Sequence, residues 1–337
     1  MAPAQRAQGG EAADAPGSAA ATDSLLDVVI VNWNSRSHLK ACIAALDRST
    51  IGEALHVVVV DNASTDGSIA GLAAERIGLD IVRNPDNRGF AVACNQGARK
   101  GSAPLVFFLN PDVQVRPDTI ELAARYMTEP ANAEVGALGI QLTDQDGQVQ
   151  RCCARAPTFA TLILHTLFLD RLFPSLVPPH FLVEWDHAET REVDQVMGAF
   201  LLVRRELFAR IGGMDERFFL YYEDVDLCLA VRQAGWKVVH YAVAQAAHAG
   251  GGSTDAVKDR RLFHHVISRV DYAAKRYGRA AAALLTASIL SFELPTRWLH
   301  ASIAGSPGEG GSVLRAIAMI GKKVWARAVA NRTRMGV

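Results

Sequence analysis

Leu55-His56-Val57-Val58-Val59-Val60 runs directly into Asp61-Asn62-Ala63-Ser64-Thr65-Asp66-Gly67. The first half is a valine-rich run suited to a strand buried on both faces, and the second half consists of residues that turns use. The same pairing recurs on either side. Leu25 to Val31 precedes Asn32-Trp33-Asn34, and Leu105 to Leu109 precedes Asn110-Pro111-Asp112. Between the first two runs, Leu39, Cys42, Ile43 and Leu46 recur at helical spacing. Further helices are predicted over Ser68 to Ile77, Gly89 to Lys100 and Asp118 to Met127, the last behind Pro117, with a short strand at Asp80 to Arg83. This alternation predicts an α/β fold with a mostly parallel central sheet covered on both faces. Ligands bind such sheets beyond the carboxyl ends of the strands, so the three polar clusters are expected to meet at one crevice.

Downstream the pattern loosens. Thr143 to Gln148 reads as a turn joining two strands, and its partial likeness to a calcium loop lacks most of the ligands. Val193 to Val203 reads as a strand, Arg204 to Ile211 and Asp224 to Ala234 as helices closed by glycines, and Trp236 to Tyr241 as a strand leading toward His248 to Ser253. Neither a dinucleotide-binding G-x-G-x-x-G after the first strand nor a phosphate-binding P-loop motif is present. The chain has 337 residues, half of them hydrophobic, with 35 Lys+Arg against 35 Asp+Glu. That balance offers no bulk attraction for nucleic acid. Cys42, Cys94, Cys152, Cys153 and Cys228 contain no C-x-x-C pair, so neither a disulfide framework nor a zinc site is expected, and a reducing compartment is the simpler reading.

Taken in order, these motifs resemble those of family 2 glycosyltransferases. The resemblance is carried by Val29 to Asn34, Val58 to Ser68, Asn84 to Gln96 with its Asn87-Arg88-Gly89-Phe90 core, Leu109 to Asp112, Met197 to Phe200, Ile211 to Glu216, Tyr222 to Leu227, Gly235-Trp236 and His248 to Ser253. Asp146-Gly147, Gln150 and Pro157 are similar to a stretch in the rhamnosyltransferase-like branch, which builds cell-surface polysaccharides and polyprenyl-linked glycans. The resemblance implies a GT-A fold, in which a Rossmann-like nucleotide-binding half is fused to an acceptor-binding half around one continuous sheet. It also implies an inverting transfer of a sugar from a nucleotide-diphosphate donor, with dTDP-rhamnose a candidate, to a saccharide or lipid-linked acceptor.

A carboxylate at the rim of an apolar strand needs a partner, and a divalent cation bridging Asp112 to a diphosphate would supply one. Asn110-Pro111-Asp112 stands in the place of the family's D-x-D motif. The resemblance therefore implies that Asp112 and His248 hold Mn²⁺ or Mg²⁺, with Asn110 near ribose or phosphate. Glu223, Asp224 and Asp226 crowd into one helical turn, where repulsion and burial raise a carboxyl pKa toward that of a working base. The family pattern selects Asp224 as the general base and puts Glu223 and Asp226 on the acceptor side. Val31, Asn32, Trp33, Asp61, Arg88 and Asn95 are expected to line the nucleotide sugar. Two other classes stay open on the residues alone. A sugar nucleotidyltransferase would want a glycine-rich loop after the first strand, and an inert carbohydrate-binding or scaffold module would not need Asp61, Asp112, Asp224 and His248.

The zero net charge conceals a division. From Ala256 to Val337 there are 14 Lys+Arg against 4 Asp+Glu, leaving 21 against 31 in the preceding residues. Three regions are expected: a disordered leader over 1–24, a catalytic domain over 25–278 and a basic helical extension over 279–337. No run reaches the roughly 20 apolar residues of a spanning helix. Val313, Ile317, Ile320 and Val324 share one face of the last helix with Arg315 and Lys322 opposite. Such a helix suits a peripheral position on the inner face of the cell membrane of a cytoplasmic protein, or packing on its own domain or on a second subunit in a homo-oligomer. The apolar stretch Phe159 to Val183 reads as core or as a groove for a polyprenyl chain.

Overall fold

A computed structural model describes residues 24–250, 257–303 and 308–334. The first half comprises β1 (Leu26–Asn32), α1 (Ser37–Asp47), β2 (Leu55–Asp61), β3 (Gly78–Arg83), α2 (Phe90–Ala98), β4 (Leu105–Leu109), β5 (Val113–Val115), α3 (Thr119–Thr128) and β6 (Val135–Thr143). The second half continues with β7 (Cys153–Ala154), α4 (Phe159–Thr166), α5 (Leu169–Leu172), β8 (Arg191–Glu192), β9 (Gln195–Val196), β10 (Phe200–Arg204), α6 (Arg205–Arg210), α7 (Glu223–Gln233) and β11 (Lys237–His248). Helices α8 (Lys258–Ser288), α9 (Leu294–Ile303) and α10 (Glu309–Arg334) follow, with a π-helical turn at Ile289–Glu293. The expected leader lies outside the described residues apart from Ser24.

The main sheet runs β3-β2-β1-β4-β10-β6-β11-β5, with β8 on the side of β11. β3, β2, β1 and β4 are parallel and lie in register, Asn32 opposite Asp61 and Asp61 opposite Arg83. The three polar clusters therefore do leave the sheet at one edge. β10 is antiparallel to β4 on one side and to β6 on the other, and β6 is parallel to β11. A separate two-stranded ribbon pairs Cys153 with Val196 and Ala154 with Gln195.

Two sequence expectations give way. Ser68 to Ile77 forms successive turns instead of a helix. Gly67 and Gly71 sit at φ 73° and 64°, and the Asp47 carboxylate accepts the amides of Glu75, Arg76 and Ile77, so side-chain bonds replace a helical ladder there. Val193 to Val203 is interrupted at 197–199, because β9 pairs with the ribbon while β10 enters the main sheet.

One buried ion pair ties α6 to the parallel strands. Asp27, fully buried on β1, accepts from Arg205 at 2.5 Å, from the Ala103 amide at 2.8 Å and from His56 on β2 at 2.8 Å. Burial alone would raise the Asp27 pKa, but the His56 hydrogen bond, the Ala103 amide and the Arg205 charge outweigh it and hold the pKa below its ordinary value. The bond to Asp27 raises that of His56. The C-terminal helices have their own core, in which Val266, Tyr272, Leu285, Ile289 and Ile320 pack with Leu162, Phe218 and Val225. Gly278, at φ 87°, is a non-helical break inside α8.

Replacing Arg205 by Met leaves Asp27 buried without its cation and is expected to cost about 3–5 kcal/mol in chemical denaturation. The His56 contribution has the opposite pH sense to that of Asp27. A raised histidine pKa stabilises the fold fully below about 6.5 and fades as pH rises through the folded value. His56→Gln should therefore narrow the stability difference between mildly acidic and mildly alkaline buffer, measured by thermal melts; an unchanged difference would remove His56 from the account.

Candidate active site

Strand pairing brings the first two site residues together. β5 runs antiparallel to the end of β11 with Val113 opposite His248, so Asp112, one residue earlier, sits beside the imidazole. His248 Nε2 lies 3.6 Å from Asp112 Oδ1, and the Ala249 amide donates to the Asp112 carbonyl at 3.1 Å. The other ring nitrogen is committed: His248 Nδ1 lies 2.9 Å from Gln150 Oε1, whose amide group in turn donates to the His248 carbonyl at 2.7 Å. Because Gln150 Oε1 can only accept, Nδ1 carries a proton, which leaves Nε2, the nitrogen facing Asp112, as the one able to bind a cation. A carboxylate oxygen and a neutral imidazole nitrogen at this spacing form a donor set that fits a divalent cation of the Mn²⁺ type. Of the glycine-rich segment expected after His248, Gly251 to Ser253 lies outside the described residues.

Asp224 occupies the first turn of α7, which follows an unusual corner. Tyr221 and Tyr222 take left-handed backbone angles, φ 70° and 69°, which bulky residues rarely adopt without tertiary support. The corner turns the Asp224 carboxylate back toward the sheet, where Oδ2 accepts the Gly198 amide at 2.9 Å and Oδ1 the Val225 amide at 2.8 Å. Gln195 supplies a further bond. Burial nevertheless dominates these bonds and raises the Asp224 pKa. Neighbouring Glu223 is raised well above the usual carboxylate range, by burial first and by Asp224 second, and among the described residues its Oε2 has no hydrogen-bond partner. The two corners of the site are joined through the backbone. The Asn110 amide donates to the Ala199 carbonyl at 3.0 Å, and Gly198, one residue before, holds Asp224.

Several residues expected at the ligand prove to hold the frame instead. Asn32 is fully buried, donating to Asp61 Oδ1 at 2.7 Å and to Ser68 Oγ at 2.9 Å. Asp61 is itself buried at the crevice edge, and its second oxygen accepts the Ser64 amide at 3.2 Å. Together they set the Asn62 to Ser68 loop. Asn95 does not face an open crevice: its amide donates to the Met214 carbonyl at 2.8 Å and to Glu216 at 3.1 Å, and its oxygen accepts the Met214 amide at 2.9 Å. Asp226 is buried between Lys275 and Arg276, each at 2.7 Å, so its carboxylate anchors α8 to α7 and is not available to an acceptor. Glu223, expected on the acceptor side, is likewise buried. Val31 is buried in β1, Trp33 is half-buried, and Arg88 is exposed next to Gly89. The sequence reading assigned no role to Gln150, Gln195 or the Gly198 amide. Only the Gln150 motif and the Met197 to Phe200 motif offered a signal for them.

Comparisons with known proteins place the chain in a family. The sequence model of glycosyl transferase family 2 matches residues 27–163. An N-acetylglucosaminyl-diphospho-decaprenol L-rhamnosyltransferase of Mycobacterium tuberculosis is 30% identical over 265 residues, covering 75% of this chain and 85% of that one. Rhamnosyltransferase WbbL of Escherichia coli is 22% identical over 255 residues, covering 74% and 92%. In fold, the chain is similar to mannosyltransferase PcManGT from Pyrobaculum calidifontis, solved with GDP-Man and Mn²⁺. The TM-score is 0.50 at 19% identity, with 91% of this chain and 88% of that chain covered.

The burial of Glu223 has a thermodynamic consequence. A carboxyl whose folded pKa is raised favours the fold below its unfolded pKa of about 4.3 and opposes it once pH rises through the folded value. Glu223→Gln is therefore expected to raise the melting temperature at neutral pH and to leave it nearly unchanged below pH about 4. A lower melting temperature at neutral pH would show that an ionised Glu223 has a partner in the fold.

Proposed function

The chain belongs to glycosyl transferase family 2 and is a glycosyltransferase; on that premise we propose that it moves a sugar, with inversion, from a nucleotide diphosphate to a polyprenyl-diphosphate-linked saccharide, with dTDP-rhamnose the first donor to test. The observation that carries this reading is the backbone link between two corners of opposite chemistry. Asp224, a carboxylate made more basic by burial, lies one short link from the Asp112–His248 pair that suits a diphosphate-bound cation. The resemblance to two rhamnosyltransferases supports the donor, and the diphospho-decaprenol substrate of the mycobacterial relative supports the lipid-linked acceptor.

In this reading Asp224 takes the proton of the acceptor hydroxyl as its oxygen attacks the anomeric carbon. The bond from that carbon to the diphosphate oxygen breaks on the opposite face, so one displacement inverts the centre. The Gly198 and Val225 amides hold the carboxylate in place during the transfer and stabilise it until it accepts the proton. Asp112 and His248 Nε2 would hold the divalent cation, Mn²⁺ fitting the imidazole better than Mg²⁺, and Gln150 fixes the orientation of that imidazole. A cation held there would supply positive charge beside the leaving diphosphate. Asn110 and Arg88 contact the donor's ribose and phosphates, and Trp33 stacks on its base. Asp61, held by Asn32, presents the loop that receives the base.

The lipid side of the acceptor has a surface suited to it. Leu172, Phe173 and Leu176 are 67%, 53% and 79% exposed at the end of α5, close to Phe168, whose ring is 6.4 Å from Phe292. The core alternative for Phe159 to Val183 thus fails at Leu172, Phe173 and Leu176, whereas Val177 and Leu182 are buried. Arg171 and Arg297 lie over the Phe168 ring, placing cations at the rim of an apolar patch. The patch adjoins the acceptor end, since Leu162 of α4 packs in the same core as Val225 of α7. The α10 stripe does not serve this purpose. Ile317, Ile320 and Val324 pack in the C-terminal core, while Arg315 and Arg327 pair with Asp259 and Asp271 of α8, each at 2.8 Å. Among the described residues, no helix is long and apolar enough to cross a membrane.

Three outcomes follow. Asp224→Asn should abolish transfer in a donor-consumption assay while nucleotide binding by calorimetry persists, and wild-type kcat/KM should fall on the acid side with a midpoint above the ordinary carboxylate value of about 3.9. Near-normal turnover by the variant would dismiss Asp224 as the base. Gln150→Leu should weaken Mn²⁺-dependent UDP or dTDP binding about 10–100-fold, the usual effect of removing a partner of a ligating histidine; equal affinity would mean that His248 is not a ligand. Leu172→Ser/Phe173→Ser/Leu176→Ser should reduce pelleting with anionic liposomes while turnover on a short-chain water-soluble acceptor is retained. Unchanged pelleting would reject this membrane surface.

A further inference from the structure

We propose that Cys152, Cys153, His187 and His240 form a second, internal metal site that takes a thiophilic divalent cation, Zn²⁺ first, and pins the β7–β9 ribbon beneath Asp224. The thiol sulfurs of Cys152 and Cys153 and one ring nitrogen of His187 all lie within 4.8 Å of one another. Tetrahedral zinc, with bonds of about 2.3 Å to sulfur and about 2.0–2.1 Å to nitrogen, places its ligand atoms roughly 3.5–3.8 Å apart, so about 1 Å of contraction closes these three, while His240 lies outside that group and completes the tetrahedron by a larger adjustment. All four residues are at most 3% exposed.

The hydrogen bonds fix the tautomers of both imidazoles. His187 Nδ1 donates to the Trp185 carbonyl at 3.0 Å, and its Nε2 accepts the Cys153 amide at a long 3.3 Å, a bond that metal binding would displace. His240 Nε2 donates to the His187 carbonyl at 3.0 Å, so Nδ1 is a lone-pair nitrogen. Among the described residues that buried Nδ1 has no hydrogen-bond partner of normal geometry, a costly state for a polar atom unless something occupies it. His240 adjoins the cluster through its interaction with the Cys152 thiol. His187 takes a left-handed backbone angle, φ 61°, and its ring is stacked under Trp185 at 4.3 Å.

Charge favours the same reading. On binding, each thiol gives up its proton to solvent as its sulfur bonds the ion, so two thiolates and two neutral imidazoles around a dication form a neutral unit. A neutral unit is far cheaper to bury than a thiolate alone. The sulfur and imidazole donors select against Mn²⁺ and Mg²⁺, which separates this site from the Asp112–His248 pair. The link to catalysis, which rests on the function proposed above, is through the ribbon. The Met197 amide donates to the Cys152 carbonyl at 2.9 Å, Ala154 pairs with Gln195, and Gln195 and Gly198 both bond Asp224.

The test needs no activity. The full chain, expressed in zinc-supplemented medium and dialysed against a weak chelator, is assayed by mass spectrometry for metal, then titrated with an organomercurial in the presence of a zinc-sensitive dye. One zinc per chain, released as two thiols react, is expected, and cobalt loading should give a thiolate-to-cobalt charge-transfer band. The double variant Cys152→Ala/Cys153→Ala should carry no zinc, whereas Asp112→Asn should carry the full equivalent. The wild-type titration stands even if the double variant fails to fold. A folded wild-type chain with no stoichiometric zinc, zinc retained by the double variant, or a Cys152–Cys153 disulfide found by mass spectrometry would overturn the proposal.

Discussion

The double hydrogen bonding of β10 is the constraint on which the rest of the molecule depends. Phe200 to Arg204 pairs antiparallel with β4 along its whole length and with β6 at Leu202 and Val203. A parallel nucleotide-binding half and a second half with its own parallel pair thereby become one sheet. β10 can occupy that place only if the chain turns sharply just before it, and the turn at 197–199 is where the Gly198 amide meets Asp224 and the Ala199 carbonyl meets Asn110. The sheet's continuity and the site's geometry are therefore one fact. Cutting the pairing would separate the acid at α7 from the acid after β4.

Within the site, most polar side chains bond to other protein groups, and the few left to act are held by them. Asn32 holds Asp61, Asn95 holds the Gly213–Met214 turn, Gln150 holds His248, and the Gly198 amide holds Asp224. Asn, Gln and backbone amides add no net charge, so they orient carboxylates and imidazole without neutralising them. The strain at Tyr221 and Tyr222 and the unsatisfied Glu223 oxygen fit a region where stability is given up for a raised carboxyl pKa.

The basic C-terminal segment has a more internal purpose than its charge suggested. Lys275 and Arg276 meet Asp226, Arg315 and Arg327 meet acids of α8, and Arg269 and Arg297 meet buried Glu293. Among the described residues, only the pairs with Asp215 and Asp226 join the acidic body to the basic helical segment, and the others lie within that segment. Large apolar side chains are exposed near α5, as at Leu172 and Leu176, and also on α9 and α10, as at Ile303 and Trp325.

Local sequence determined the order of strands and helices through α3, the polar clusters at the strand ends and the family to which the chain belongs. Each of these is written in side-chain periodicity and turn residues within about ten positions. It did not determine the turns at Ser68 to Ile77, because a carboxylate from Asp47 captures their amides from a distant helix. Only the tertiary structure decided which candidate residues face a ligand and which hold the frame. Asp226 and Asp224 stand two positions apart on one helix, yet one is consumed by cations from α8 and the other by amides from the 197–199 turn and its own helix. Partners 26 to 98 residues away set the direction of Asp224 and His248, and no local pattern encodes them. The same holds for Cys152, Cys153, His187 and His240, whose spacing matches no metal motif and which meet only because β7, the Trp185–His187 loop and β11 are folded against one another.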